Sequence, residues 1–175
     1  FTCTGTFQLW LNCAQNFAKE NVGWADPSIM QTYYSAGTML ALVVTALLTR
    51  KIKDVRFILG YPVICLVTMI AVLVGKSQTL MIAGAFLIGW AGAGGLLQIA
   101  TSVCNMLFPK IKGTVTALVM IASSLCNYTI LTAASKMQPS QVMVMNIVLT
   151  AVGVLLGLFV NLRYTKMVEQ AQADN

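Results

Sequence analysis

The residues best placed to do chemistry in this sequence are uncharged. Gln8, Asn12, Gln15 and Asn16 fall at i, i+4, i+7 and i+8, a single face of a helix. Gln98, Thr101, Ser102 and Asn105 follow at i, i+3, i+4 and i+7, and Trp90 and Gly94 extend that stripe in the other direction. Thr116, Ser123 and Asn127 form a sparser row, with Tyr128 slightly off the line; Tyr33, Tyr34, Ser35 and Thr38 make a fourth group. Such rows have two uses. They can hydrogen-bond to a neighbouring helix, worth roughly 0.6 to 2 kcal/mol per contact in lipid. They can also line an aqueous cavity and bind a polar solute. For a lone Ser or Thr, packing is the better reading. Amides are costlier to bury, and four on one face exceed what packing needs, so the Gln8–Asn16 face reads as a cavity wall. For the Gln98–Asn105 face the two readings stand level.

Other chemistry is hard to find. The chain has no histidine, and its five cysteines, Cys3, Cys13, Cys65, Cys104 and Cys126, include no C-x-x-C pair. They read as small apolar filler, so no metal, cofactor or disulfide framework is expected. No nucleophile–base pair points to an enzyme. Glu20, Asp26, Asp54, Glu169 and Asp174 all fall near helix ends or in the tail. Proton-coupled machines place a carboxylate in mid-membrane despite a cost of at least about 2.5 kcal/mol. A proton carrier here would be Glu20, Asp26 or a group outside this chain. Asn127-Tyr128-Thr129 matches a glycosylation sequon, but it lies mid-span, out of reach.

The stretch GWAGAGGLLQ, residues 89–98, raises the question of a phosphate loop. A dinucleotide fingerprint starting at Gly92 needs glycine at position 97, which is Leu97, and no Gly-Lys-Ser/Thr follows. Small residues instead recur every four positions, as Ala85, Gly89 and Ala93 and as Ala91 and Gly95. That pattern lets helices approach closely in lipid. Gly89, Gly92, Ala93, Gly94 and Gly95 therefore read as a packing surface, with a helix bend near a binding site as the alternative.

The elements that carry these rows follow from composition. The 175 residues are 58% hydrophobic and 9% charged, against about 45–50% and about 25% in soluble domains. So short a soluble chain could not hide that much apolar surface; the second solvent is a lipid bilayer. A span needs roughly 20 apolar residues, and six are legible: about 3–22, 28–49, 56–75, 79–107, 113–135 and 141–162. They form one membrane domain, 1–166, followed by a polar cytoplasmic tail, 167–175; the stretch RYTKMVEQAQADN, residues 163–175, is expected to fray. Arg50, Lys51, Lys53, Arg56, Lys110, Lys112, Arg163 and Lys166 share one side and are most of the 11 basic residues; Lys19, Lys76 and Lys136 are on the other. The positive-inside rule makes the first side, and the C-terminus, cytoplasmic. Orientation then explains the net charge of +6 without a nucleic-acid partner. The first residue is Phe1, almost inside the first span with no charged stretch before it. The chain reads as a fragment rather than as a protein opening on a signal peptide.

A polar-striped helix, a mixed helix and an apolar support occur in that order twice. Tyr61 and Thr68 are the only interior polar groups of the third span, and Asn146 and Thr150 those of the sixth; both spans read as lipid-facing supports. Two three-helix units in inverted orientation are a frequent construction of secondary transporters. On GWAGAGGLLQIATSVCNMLFPKIKGTVTALVMIASS and the basic loop at Arg50–Arg56, the chain resembles half of a bacterial major facilitator superfamily transporter, the C-terminal six-helix half more than the N-terminal one. The N-terminal half usually carries G-x-x-x-D-R-x-G-R-R in that loop. Here ALLTRKIKDV aligns with it, with Ala46, Arg50 and Lys53 in place of Gly, Asp and the second Gly. FPKIKGT, residues 108–114, resembles the family's short cytoplasmic turn between a half's fourth and fifth helices.

The resemblance implies an all-α integral membrane fold, half of twelve helices, working by alternating access on a small organic solute in the cytoplasmic (inner) membrane. Gln8, Asn12, Gln15, Asn16, Trp90, Gln98 and Asn105 would line the cavity, with Tyr33, Tyr34 and Asn127 at the cavity or its gate. Arg50, Lys51, Lys53, Asp54 and Arg56 would form a cytoplasmic gating loop. Partners would be lipid, solute and either the missing N-terminal half or a second copy of the chain. The alternative is a six-helix membrane subunit without carrier activity of its own: a channel, a scaffold or the partner of a separate ATPase.

Overall fold

The computed structural model describes residues 1–48 and 54–173; Arg50, Lys51 and Lys53 of the expected gating loop lie outside them. Among the described residues there is no strand. The helices are α1 (Thr2–Asn21), α2 (Ile29–Leu48), α3 (Asp54–Gly75), α4 (Gln78–Ile88), a π-helical stretch (Gly89–Leu96), α5 (Leu97–Leu107), a 3₁₀ turn (Pro109–Ile111), α6 (Lys112–Ala134) and α7 (Pro139–Ala173). The breaks fall at the expected polar and Pro/Gly connectors. α7 carries helix on through the tail, where fraying was expected.

Four rods are long and apolar enough to cross a membrane: Arg56–Gly75, Gln78–Leu107, Lys112–Ala134 and Pro139–Arg163. The protein is therefore a multi-pass membrane protein. α1 and α2 are also helices, of 20 residues each. α1 falls short in hydropathy because it gives a face to amides, and the first half of α2 is occupied by Gln31, Thr32, Tyr33, Tyr34 and Ser35.

The core lies between α1, α2, α3, α4 and the π-helical stretch. Phe17, Cys65, Met69, Met81, Ala85, Ile88 and Ala91 are fully buried there. A second, smaller cluster joins Leu9 to Ala134 and Val142. Outward, α3 presents Val63, Ile64, Val67, Ile70 and Val74, and α7 presents Val148, Leu155, Leu156 and Phe159. These apolar faces suit lipid contact. The inner faces are more polar than supports required. Thr45 and Tyr61 hydroxyls meet at 2.8 Å, joining α2 to α3. Asn146 and Thr150 are buried against α1.

The glycine stretch is a packing surface. Gly89, Gly92, Gly94 and Gly95 are buried and Ala93 is half-buried. A Cβ on Gly89 would overlap the Tyr34 carbonyl oxygen, and one on Gly94 would lie 2.8 Å from the Thr38 carbonyl oxygen. α2 returns the fit, since a Cβ on Gly37 would overlap the Phe86 carbonyl oxygen. The Thr38 hydroxyl donates to the Gly89 carbonyl at 3.2 Å and to its own Tyr34 carbonyl at 3.0 Å. Winding is the unexpected part. Over Gly89–Leu96 the helix takes the wider i→i+5 form, so positions on one α-helical face before it fall on another after it. Gly94 accordingly does not continue the Gln98 stripe. It packs on Ala41 and Thr38, while Gln98 is exposed.

Candidate solute-binding wall

α1 separates two kinds of polar residue. Thr4 and Thr6 are on its buried side, with Leu9, Trp10, Ala14, Phe17 and Ala18. The Thr4 hydroxyl donates to Ser123 Oγ at 2.8 Å, and Thr6 Oγ1 lies 2.9 Å from Thr150 Oγ1. Asn146 Nδ2 donates to the Thr6 carbonyl at 3.0 Å, and Thr150 Oγ1 to the Asn146 carbonyl at 2.8 Å. The Cys126 thiol donates to the Phe1 carbonyl at 3.1 Å. These bonds hold α1 to α6 and α7. Thr4 and Thr6 escaped the sequence reading because isolated threonines carry little signal. The clue was two isolated polar groups, Asn146 and Thr150, in the otherwise apolar stretch 142–160 of α7, which need partners on a neighbouring helix.

The other side carries the amide row. Asn12 and Asn16 are exposed, and Gln8 and Gln15 are half-buried. Asn12 Nδ2 donates to the Gln8 carbonyl at 2.8 Å and to Gln8 Oε1 at 3.2 Å, both within α1. Among the described residues no side-chain hydrogen bond takes this row to another helix. It does not stitch the bundle, and Asn12 and Asn16 present donors and acceptors outward.

The remaining candidates divide between the two roles. Gln98 is exposed. Asn105 is half-buried and bonded both ways to Thr116, at 3.1 and 3.2 Å, which joins α5 to α6. Asn127 is half-buried on α6, and its Oδ1 is a buried acceptor without a hydrogen-bond partner. Tyr33 is 41% exposed and Tyr34 only 7%, so adjacent tyrosines have opposite places. Tyr34 packs in the core against the π-helical stretch, rather than on the exposed face, and reaches a small crevice with Gln15, Gln31 and Trp10. Trp90 is half-buried, its ring 6.1 Å from that of Phe86. Of the basic loop, Arg56 is exposed and Asp54 opens α3.

Asp26 lies in the connector before α2, where its Oδ1 accepts the Ser28 backbone N–H at 3.1 Å. Hydrogen bonding from Ser28, with a smaller contribution from Lys19, holds its carboxyl below the usual value. It thus stays ionised at neutral pH, which suits a structural turn and not a proton carrier. Among the described residues no three His, Cys, Asp or Glu side chains are grouped to hold a metal ion.

Comparison with known proteins places the chain in a family. No family model and no solved structure matches the chain. It is 36% identical over 133 residues to the uncharacterized MFS-type transporter YfkL of Bacillus subtilis, a match covering 73% of this chain and 33% of that protein. It is 31% identical over 137 residues to the inner membrane transport protein YdiM of Escherichia coli, with 76% and 34% covered. Its identity to the inner membrane transport protein YdiN of the same organism is 29% over 128 residues, with 71% and 30% covered. The chain thus spans about a third of the length of the curated relatives it matches. It belongs to the major facilitator superfamily of membrane transporters.

Proposed function

We propose that the chain is the C-terminal six-helix half of a secondary transporter that carries a small organic solute across the cytoplasmic membrane by alternating access. In this reading α1, α2, α3, the rod α4–α5, α6 and α7 each cross the bilayer, as two inverted three-helix repeats. The single observation that carries the reading is the division of α1. Its threonines do the bonding between helices, which leaves the exposed amides of Asn12 and Asn16, with half-buried Gln8 and Gln15 beside them, without interhelical partners. Outward-facing amides in hydrocarbon would be unsatisfied at a cost of several kcal/mol each, so this face needs water and solute opposite it. Gln98 extends the wall from α5, Tyr33 and Asn127 flank it, and the N-terminal half, or a second copy of the chain, closes it. Arg50, Lys51, Lys53, Asp54 and Arg56 form the cytoplasmic gate. The wall offers amides and hydroxyls with no ionised group at mid-depth, which fits an uncharged or amphipathic solute.

Thiol labelling tests this in the full-length transporter, with Cys3, Cys13, Cys65, Cys104 and Cys126 replaced. Asn12→Cys and Asn16→Cys react with a membrane-impermeant thiol reagent, and transported solute slows the reaction. Val67→Cys, on the exposed face of α3, does not react. Equal labelling at all three positions sinks the cavity assignment.

A further inference from the structure

A groove of about 460 Å³ runs between the end of α3 and the start of α7. It is an open groove on the surface and not an enclosed cavity. Leu73, Met137, Ser140, Gln141, Val144 and Met145 line it. It lies on the α3–α7 side, away from the amide face of α1, and nothing in the solute reading uses it. Its inner part is apolar and flexible in shape, with two methionines that can fit an irregular chain. Two lysines adjoin its lining residues in sequence. Lys76 follows Leu73 by three residues, Lys136 directly precedes Met137, and both lysines are exposed. Neither makes an ion pair among the described residues. Gln141 Oε1 accepts the Gln138 backbone N–H at 3.1 Å, which leaves its Nε2 to donate elsewhere. Lys76 holds a φ of 40°, although glycine precedes it. L side chains rarely adopt this conformation, and here it follows the last turn of α3, the Lys76 N–H bonding to the Val72 carbonyl at 3.2 Å.

An apolar groove whose lining is adjoined in sequence by two exposed lysines without ion pairs, and which includes a glutamine amide, complements an anionic lipid. We propose that this groove binds an anionic phospholipid, one acyl chain lying along Leu73, Val144 and Met145, and the phosphate held between Lys76 and Lys136. The lipid belongs to the leaflet opposite the Arg50–Arg56 loop. The proposal rests on the helices spanning a bilayer but not on the solute wall, so the labelling experiment above can fail without touching it.

Native mass spectrometry of the full-length transporter in detergent, titrated with phosphatidylglycerol or phosphatidylcholine, reads the site directly. Phosphatidylglycerol binds more tightly than phosphatidylcholine. Lys76→Gln with Lys136→Gln weakens it about thirtyfold, as expected for two lysine–lipid attractions at the interface. Lys76→Arg with Lys136→Arg retains it, and Lys112→Gln at the other end of the bundle leaves it unchanged. Val144→Trp, which fills the slot, weakens binding with both lysines in place. Far-UV circular dichroism verifies that each variant remains helical. Equal binding of the two lipids overturns the proposal, as does an equal loss from Lys112→Gln or full binding by Val144→Trp.

Discussion

At the residue scale, what distinguishes the glycines of this chain is what a single added carbon would meet. At Gly60 a Cβ meets nothing within 4 Å, whereas at Gly89 it would overlap the backbone of Tyr34. A flexible side chain can give way, but a helix backbone moves only with its whole helix. Gly89→Ala should therefore destabilise the bundle by about 1–3 kcal/mol, the usual range for overpacking. Gly60→Ala should be neutral or stabilising by up to about 1 kcal/mol, because alanine is the better helix former. Equilibrium unfolding in mixed micelles measures both, and equal effects would remove the close-packing account. The spacing of small residues made this surface legible in the sequence. The sequence did not tell Tyr33 from Tyr34, because the two look alike in isolation. The distinguishing signal was further along α2: Tyr34, Gly37, Ala41 and Thr45 share one face and are all buried, a row of mostly small residues against which α4 and the π-helical stretch can settle.

At the scale of elements, helix positions were legible because every connector is marked by charge, proline or glycine. The π-helical winding was not, because an i→i+5 helix and an i→i+4 helix accept the same glycines. Its effect is to uncouple the face of α4 from that of α5, so the Gln98 stripe begins after the glycines and does not run through them. The connector between α1 and α2 supports a sharper test. Asp26 has a folded-state pKa below its unfolded value, and Ser28 hydrogen bonding is the main cause. Its contribution is fully present above the unfolded value, about 3.9, and is lost as pH falls through the folded one. The neighbouring Trp24 fluorescence should hold steady from neutral pH down to about 4 and change below it. Asp26→Ala should show no such acid step. Asp26→Asn should leave the pH profile of solute uptake unchanged between about pH 5 and 8, since the native carboxylate is already ionised there. A shifted uptake profile would return Asp26 to the list of proton carriers.

For the whole molecule, charge and length together bear on how the bundle sits in the membrane. The basic clusters at Arg50–Arg56, Lys110–Lys112 and Arg163–Lys166 fall at one end if all six rods cross, and Lys76 and Lys136 fall at the other. The positive-inside bias then directs the first end to the cytoplasm. α7 has 35 residues, about 50 Å of helix at 1.5 Å per residue, against about 30 Å of hydrocarbon. The helix must therefore protrude, and the polar sequence after Arg163 is the part suited to water. Green fluorescent protein fused after Asn175 should fluoresce, which requires a cytoplasmic location. Alkaline phosphatase inserted after Ser77 or after Gln138 should be active, which requires the opposite side. The reverse pattern would invert the bundle, carrying the Arg50–Arg56 loop to the outer face and ending its assignment as a cytoplasmic gate. A result that puts Ser77 or Gln138 on the same side as Asn175 would mean that a rod between them, α4–α5, α6 or α7, does not cross. The crossing of α1, the least hydrophobic of the long helices and the one that most depends on a wet cavity, lies upstream of all three sites; green fluorescent protein placed before Phe1 tests it and should fluoresce.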